Sequence, residues 1–239
     1  PIFHGATTSS GERFYAEFPF DGGIGGGGIA FWEFTAPLAL DSGAVGVIFK
    51  VPPSTAALTN GAAFSLELDI DRTLAELYAT DATYAEAAMS FMTPPNVKDL
   101  SAVRSRGGKV LVYHGVSDPI FSVRDTEAWY DGIDRHSGGP AADFARLYRV
   151  PGMGHCSGGP ATDQADFITP LVNWVENGQA PGALVASARG PGNPGGVNPE
   201  VPSTWAPNRT RPLCPYPTVA RYVGHGDVEQ ESSWACDDG

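Results

Sequence analysis

Hydrophobic order is uneven along this chain. Through residues 1–95, glycine and proline break up the apolar positions and no long period is sustained. Phe64, Leu66, Leu68 and Ile70 alternate with other residues, which predicts a short strand or one face of an irregular segment. From residue 96 the pattern becomes regular. Lys109 to Val116 is a short, largely apolar run between Gly107-Gly108 and Ser117-Asp118-Pro119, the signature of a buried strand ending in a turn. Ser122, with Asp125 three residues on, forms a near capping box, and Thr126, Trp129, Tyr130 and Ile133 follow at helical spacing. Ser137-Gly138-Gly139-Pro140 ends that helix, and Phe144 to Val150 predicts a second strand. A glycine-rich loop, 151–160, hangs on its end. A helix carrying Leu171, Val172, Trp174 and Val175 comes next; it stops before Gly178, and Pro170 either sits near the start of its regular part or kinks it. Strand, loop and helix twice over is the grammar of an α/β protein with a parallel sheet. Beyond Gly178 the chain reads as a Pro/Gly tail, and Arg189 to Pro199 excludes a helix or a central strand. Thr93-Pro94-Pro95 marks the boundary between an irregular region, 1–95, and an ordered one, 96–239.

Composition narrows the picture. Gly and Pro make up 51 of 239 residues, nearly twice the usual share, yet 42% hydrophobic content is enough for a core. A net charge of −12 leaves no field to hold phosphates, which argues against nucleic acid and against anionic membrane. No stretch approaches 18 apolar residues. The run Gly22-Gly23-Ile24-Gly25-Gly26-Gly27-Gly28 is expected to be flexible; no Gly-Lys-Ser/Thr follows, so it is not a phosphate loop. Asp69 and Asp71 lack the further ligands and glycine of a calcium loop and are expected on a solvated face. Position 1 is not Met and no charged and apolar leader follows, as expected of a processed chain or a piece of a longer one.

Three cysteines, Cys156, Cys214 and Cys236, are an odd count. One local bridge plus one thiol with a partner elsewhere is one arrangement, and three free thiols in a reducing cell is the other. A Cys214–Cys236 bridge would close an otherwise unfixed tail.

Reactive groups in an open α/β sheet gather beyond the carboxyl ends of the strands. Asp118 lies just past the first predicted strand and His155 five residues past the second. A carboxylate and an imidazole so placed can meet, the carboxylate fixing the tautomer of the ring and stabilising its cation. Their order matches the last two members of a Ser…Asp…His series. A turn aspartate and a surface histidine are the plain alternative. No Gly-x-Ser-x-Gly elbow occurs, and Ser157 follows His155 too closely to serve. The chain shows an acid and a base without a nucleophile.

Val112-Tyr113-His114-Gly115-Val116-Ser117-Asp118-Pro119, followed by Val150-Pro151-Gly152-Met153-Gly154-His155-Cys156-Ser157-Gly158-Gly159-Pro160, resembles the tannase/feruloyl esterase family, which also contains mono(2-hydroxyethyl) terephthalate hydrolase. The tail from Arg211-Pro212-Leu213-Cys214-Pro215-Tyr216-Pro217 to Cys236 is similar to the C-terminus of that family. Gly11-Glu12-Arg13-Phe14-Tyr15 and Phe18-Pro19 resemble, more loosely, the late part of its lid. The resemblance implies the C-terminal part of an α/β-hydrolase fold over 96–239 and remaining lid over 1–95. It implies a serine esterase of aromatic acids such as gallate, hydroxycinnamate or terephthalate monoesters, secreted or periplasmic. Asp118 and His155 would be the acid and base. Phe121, just after the acid, and Trp32, from the lid portion, are candidates to contact an aromatic substrate, with a core Phe and a Trp that packs a loop down as the plain alternatives. The family joins the Cys after its histidine to a Cys beside its nucleophilic Ser. Cys156 would therefore bond to an upstream segment or second chain that carries the nucleophile, while Cys214 pairs with Cys236. No cofactor is expected in this chain, and a structural calcium would belong to the absent part of the lid. A non-catalytic binding remnant of the same fold, and an α/β hydrolase with another nucleophile, are the competing readings.

Overall fold

The computed structural model describes residues 2–238 and forms two compact units. One comprises 5–15 and 30–97, the other 2–4, 16–29 and 98–238. Residues 16–29 thus go with the second unit, although the sequence reading grouped them with the first region.

The first unit is helical, not strand-bearing. Its helices are α1 (Gly27–Phe34, from Ala30 onward in this unit), α2 (Ala36–Gly43), α3 (Thr55–Thr59), α4 (Gly61–Leu66), α5 (Ile70–Leu77) and α6 (Ala88–Met92). Phe64 and Leu66 lie in α4 and Ile70 opens α5, so the strand expected from their alternation is absent. The local caps decide it: Asn60 accepts from the Ala63 amide at 3.2 Å, and Asp69 from the Arg72 amide at 3.0 Å. Asp71 accepts from the backbone and hydroxyl of Ser9, and both aspartates are solvated. The core is built of small residues, Ala36, Val51, Ala57 and Ala88. Gly46 permits this close packing, since a Cβ there would lie 2.3 Å from that of Ala57.

The second unit carries α7 (Ser101–Ser105), then β1 (Val110–Gly115), α8 (Val123–His136), β2 (Ala145–Val150) and α9 (Ile168–Asn177). β1 and β2 run parallel, with Val110 opposite Ala145 and Gly115 opposite Val150. Ser122 caps α8 by accepting from the Arg124 amide, and Gly178, at φ 70°, ends α9. Tyr130 and Ile133 of α8 pack on Phe144, Ala145 and Leu147, and the Tyr130 hydroxyl donates to the Ala145 carbonyl at 3.1 Å. Tyr148, Val150 and Met153 form a second cluster with Leu184, Ala186 and Leu213.

The region beyond Gly178 is more regular than its composition suggests. β4 (Leu184–Ser187) lies between β3 (Gln164–Ala165) and β5 (Thr210–Leu213) in an antiparallel sheet, and β6 (Val219–Tyr222) pairs with β7 (Trp234–Asp237). A Cys214–Cys236 disulfide closes this segment, with 22 residues of separation. No helix among the described residues is long and apolar enough to cross a membrane.

Candidate active site

The two parallel strands bring their following loops side by side. Asp118, 5% exposed, uses one carboxylate oxygen to build its own turn: Oδ1 accepts from the Ile120 amide at 2.8 Å and the Phe121 amide at 3.0 Å. Oδ2 lies 2.9 Å from Nδ1 of His155. Burial by itself raises the Asp118 pKa. Hydrogen bonds from His114, from His155 and from the two turn amides outweigh it and hold the carboxyl at about 2. An ionised carboxylate only accepts, so Nδ1 of His155 carries the proton and donates. In the neutral ring Nε2 is then left with its lone pair. The His155 side chain is 37% exposed against 4% for Asp118, so the base is reachable while its acid is hidden.

A second imidazole serves the same turn. His114 points from β1 with Nε2 at 3.0 Å from the Phe121 carbonyl and 3.4 Å from Oδ2 of Asp118. A carbonyl only accepts, so Nε2 donates, and Nδ1 meets the Thr126 hydroxyl at 2.8 Å. Sequence reasoning missed this role, although His114 stands in the strand motif on the same side as Val110 and Val112.

The loop bearing His155 is held by backbone geometry and carboxylates. Gly152, Gly158 and Gly159 adopt φ of 77°, 79° and 72°. At Gly159 a Cβ would lie 2.0 Å from the Gly152 carbonyl, so the loop folds on itself only with glycine there. The Gly158 amide donates to Asp163 at 2.8 Å and the Gly159 amide to Glu200 at 2.7 Å. Arg189 pairs with the buried Asp163 at 2.6 Å, and the Asn198 amide group donates to the Gly159 carbonyl at 2.8 Å. The irregular 189–200 segment is therefore a support for this loop.

Of the other predicted site residues, Phe121 is half exposed, its ring 5.6 Å from that of His155. Trp32 belongs to the first unit, on α1, in edge contact with Phe31. Cys156 is an exposed free thiol at φ 64°. Among the described residues no group of three or more His, Cys, Asp or Glu is placed to hold a metal ion.

The family model for tannase and feruloyl esterase matches residues 2–237. The chain belongs to that family. It is 43% identical over 190 residues to a mono(2-hydroxyethyl) terephthalate hydrolase from Piscinibacter sakaiensis, covering 80% of this chain and 30% of that protein. It is 32% identical over 164 residues to feruloyl esterase C from Talaromyces stipitatus, covering 60% of this chain and 29% of that one. Among solved structures, an esterase from Aspergillus oryzae superposes with a TM-score of 0.62 at 22% identity, covering 99% of this chain and 44% of the other. Feruloyl esterase B of the same organism gives a TM-score of 0.60, also at 22% identity. These likenesses place the fold in the α/β-hydrolase type. The chain spans under a third of the length of the two sequence relatives and less than half of the A. oryzae esterase.

Proposed function

We propose that the protein is a serine-type hydrolase of carboxylic esters of aromatic acids, of the gallate, hydroxycinnamate or terephthalate monoester type, and that this chain contributes the proton relay. The observation that carries the reading is the 2.9 Å bond from His155 Nδ1 to a buried, ionised Asp118. His155 Nε2 takes the proton of a serine hydroxyl as that oxygen attacks the ester carbonyl, and Asp118 stabilises the imidazolium formed. Collapse of the tetrahedral intermediate releases the alcohol, which takes the proton back. Water then repeats the cycle on the acyl-enzyme and frees the acid.

The serine belongs, in this reading, to a segment outside these 239 residues or to a second chain, linked through Cys156. Three features support that part. Among the described residues Asp118 is the one hydrogen-bonding partner of the His155 ring. The neighbouring Cys156 thiol is exposed and unpaired. Among the described residues β1 pairs with β2 alone, and the half-exposed Tyr113 lies on it. Phe121 beside His155 suits an aromatic acyl group. The disulfide Cys214–Cys236 supports a secreted or periplasmic site of action.

The test is turnover of methyl ferulate, methyl gallate and a terephthalate monoester by the complete protein. His155→Ala is expected to abolish the reaction, and Asp118→Asn to lower kcat by about 10⁴-fold. Hydrolysis unchanged in both variants would remove the reading.

A further inference from the structure

We propose that Asp21 is a positioning residue, a clamp that fixes the acid loop to the base loop and thereby sets the Asp118–His155 spacing. The inference rests on reading that pair as the proton relay.

The segment 16–29 belongs to the second unit although α2 to α7 and β1 lie between it and Ser117 in sequence, and α8 and β2 lie further on before Gly152. Oδ2 of Asp21 accepts from the Ser117 hydroxyl at 2.6 Å and from the Gly152 amide at 2.6 Å. Ser117 immediately precedes Asp118, and Gly152 lies in the turn that leads to His155. One carboxylate oxygen therefore joins both loops. The Ser117 hydroxyl is satisfied in both directions, since its oxygen accepts from the Gly23 amide at 3.0 Å. Ser117 is 4% exposed, so its hydroxyl is held by protein partners.

The glycine run explains the approach. Far from being a loose segment throughout, it buries Gly23. A Cβ at Gly23 would lie 2.5 Å from the Gly152 carbonyl and 2.5 Å from Oγ of Ser117. Only a residue without a side chain lets this backbone wedge between the loops. The segment is anchored again where the Ser122 hydroxyl donates to the Glu17 carbonyl. A direct bond from the Ser117 amide to the Met153 carbonyl, 3.0 Å, also spans the loops, so deleting Asp21 loosens the spacing without dissolving the fold. An error of about 1 Å in a catalytic constellation costs about 10²-fold in rate.

The decisive readout is the low-field proton resonance of His155 Nδ1–H, followed in the full chain with ¹⁵N-labelled histidine and assigned by its loss in Asp118→Ala. Asp21→Ala is expected to broaden or abolish it at unchanged near-ultraviolet circular dichroism. Asp21→Asn, which keeps an oxygen for both donors, is expected to restore it. Ser117→Ala should weaken it, and its effect should be smaller in the Asp21→Ala background, where only the bond from the Gly23 amide is left to lose. In the complete esterase, Asp21→Ala should lower kcat about 10²-fold with KM unmoved. A resonance unaltered in Asp21→Ala overturns the clamp alone. No Asp118-dependent resonance in the unmutated chain overturns the relay reading and the clamp with it. Should Asp21→Ala unfold, Ser117→Ala decides, and an intact resonance there overturns the clamp.

Discussion

Replacing Asp118 with Asn tests the electrostatics of the site without emptying it. The amide keeps an oxygen for the turn N–H groups of Ile120 and Phe121. It loses the charge that faces His155 and His114. The carboxyl is held at about 2, against an ordinary 3.8, by hydrogen bonds that more than offset its burial. At 1.36 kcal/mol per pKa unit that depression corresponds to about 2 kcal/mol of folding stability. Because the folded value is the lower one, the contribution is complete above pH ~4 and disappears as pH falls from there toward 2. Asp118→Asn is therefore expected to destabilise by about 2 kcal/mol at pH 7 and by steadily less between pH 4 and 2, down to whatever the donor-to-donor contact with His114 leaves. Urea unfolding of both proteins at a series of pH values measures this, and comparing them cancels the other carboxylates. With slopes of 1–3 kcal/mol/M the midpoints should differ by about 1 M at neutral pH. A penalty that is constant from pH 7 to 2, or absent at pH 7, would refute the reasoning.

Further outcomes follow from the same geometry. Cys214→Ser with Cys236→Ser opens a loop of 22 residues' separation and should cost about 3 kcal/mol, measured as loss of denaturant resistance under non-reducing conditions; no loss would contradict a constraining role. Gly159→Ala places a Cβ 2.0 Å from a backbone carbonyl at φ 72° and should lower the melting temperature and distort the His155 resonance, where Gly178→Ala, meeting nothing within 4 Å, should leave that resonance alone. Phe121→Ala should raise KM for aromatic esters more than for aliphatic ones, and an equal effect on both would remove Phe121 from the substrate pocket.

The central part of this fold is legible in the sequence because its signals are local. The apolar run into Gly115, the Ser122 cap and the Gly178 stop each act within a turn of the residues they define, and β1, α8, β2 and α9 fall where they point. Asp118 and His155 could be singled out for the same reason, since each follows its strand directly. The short helices of the first unit were obscured because alternation from Phe64 to Ile70 competes with two caps, Asn60 and Asp69, that act over three residues. β3 to β7 are two to four residues long and owe their form to distant partners, as when Leu184 pairs with Leu213. The supports of the base loop are hidden similarly: Glu200 reaches Gly159 across 41 residues, and Asp21 reaches Gly152 across 131. A histidine inside a strand, such as His114, carries no periodic signal that separates a buried donor from a packing residue.

In the proposed esterase the relay lies in this chain and the attacking hydroxyl outside it. Labelling the complete protein with a fluorophosphonate, then mapping the modified peptide without reduction, addresses it directly. The expected result is a label on a serine outside residues 1–239, on a peptide joined by disulfide to Cys156, and no label once His155 is replaced by Ala. A labelled serine within these 239 residues, or labelling indifferent to His155, would contradict it.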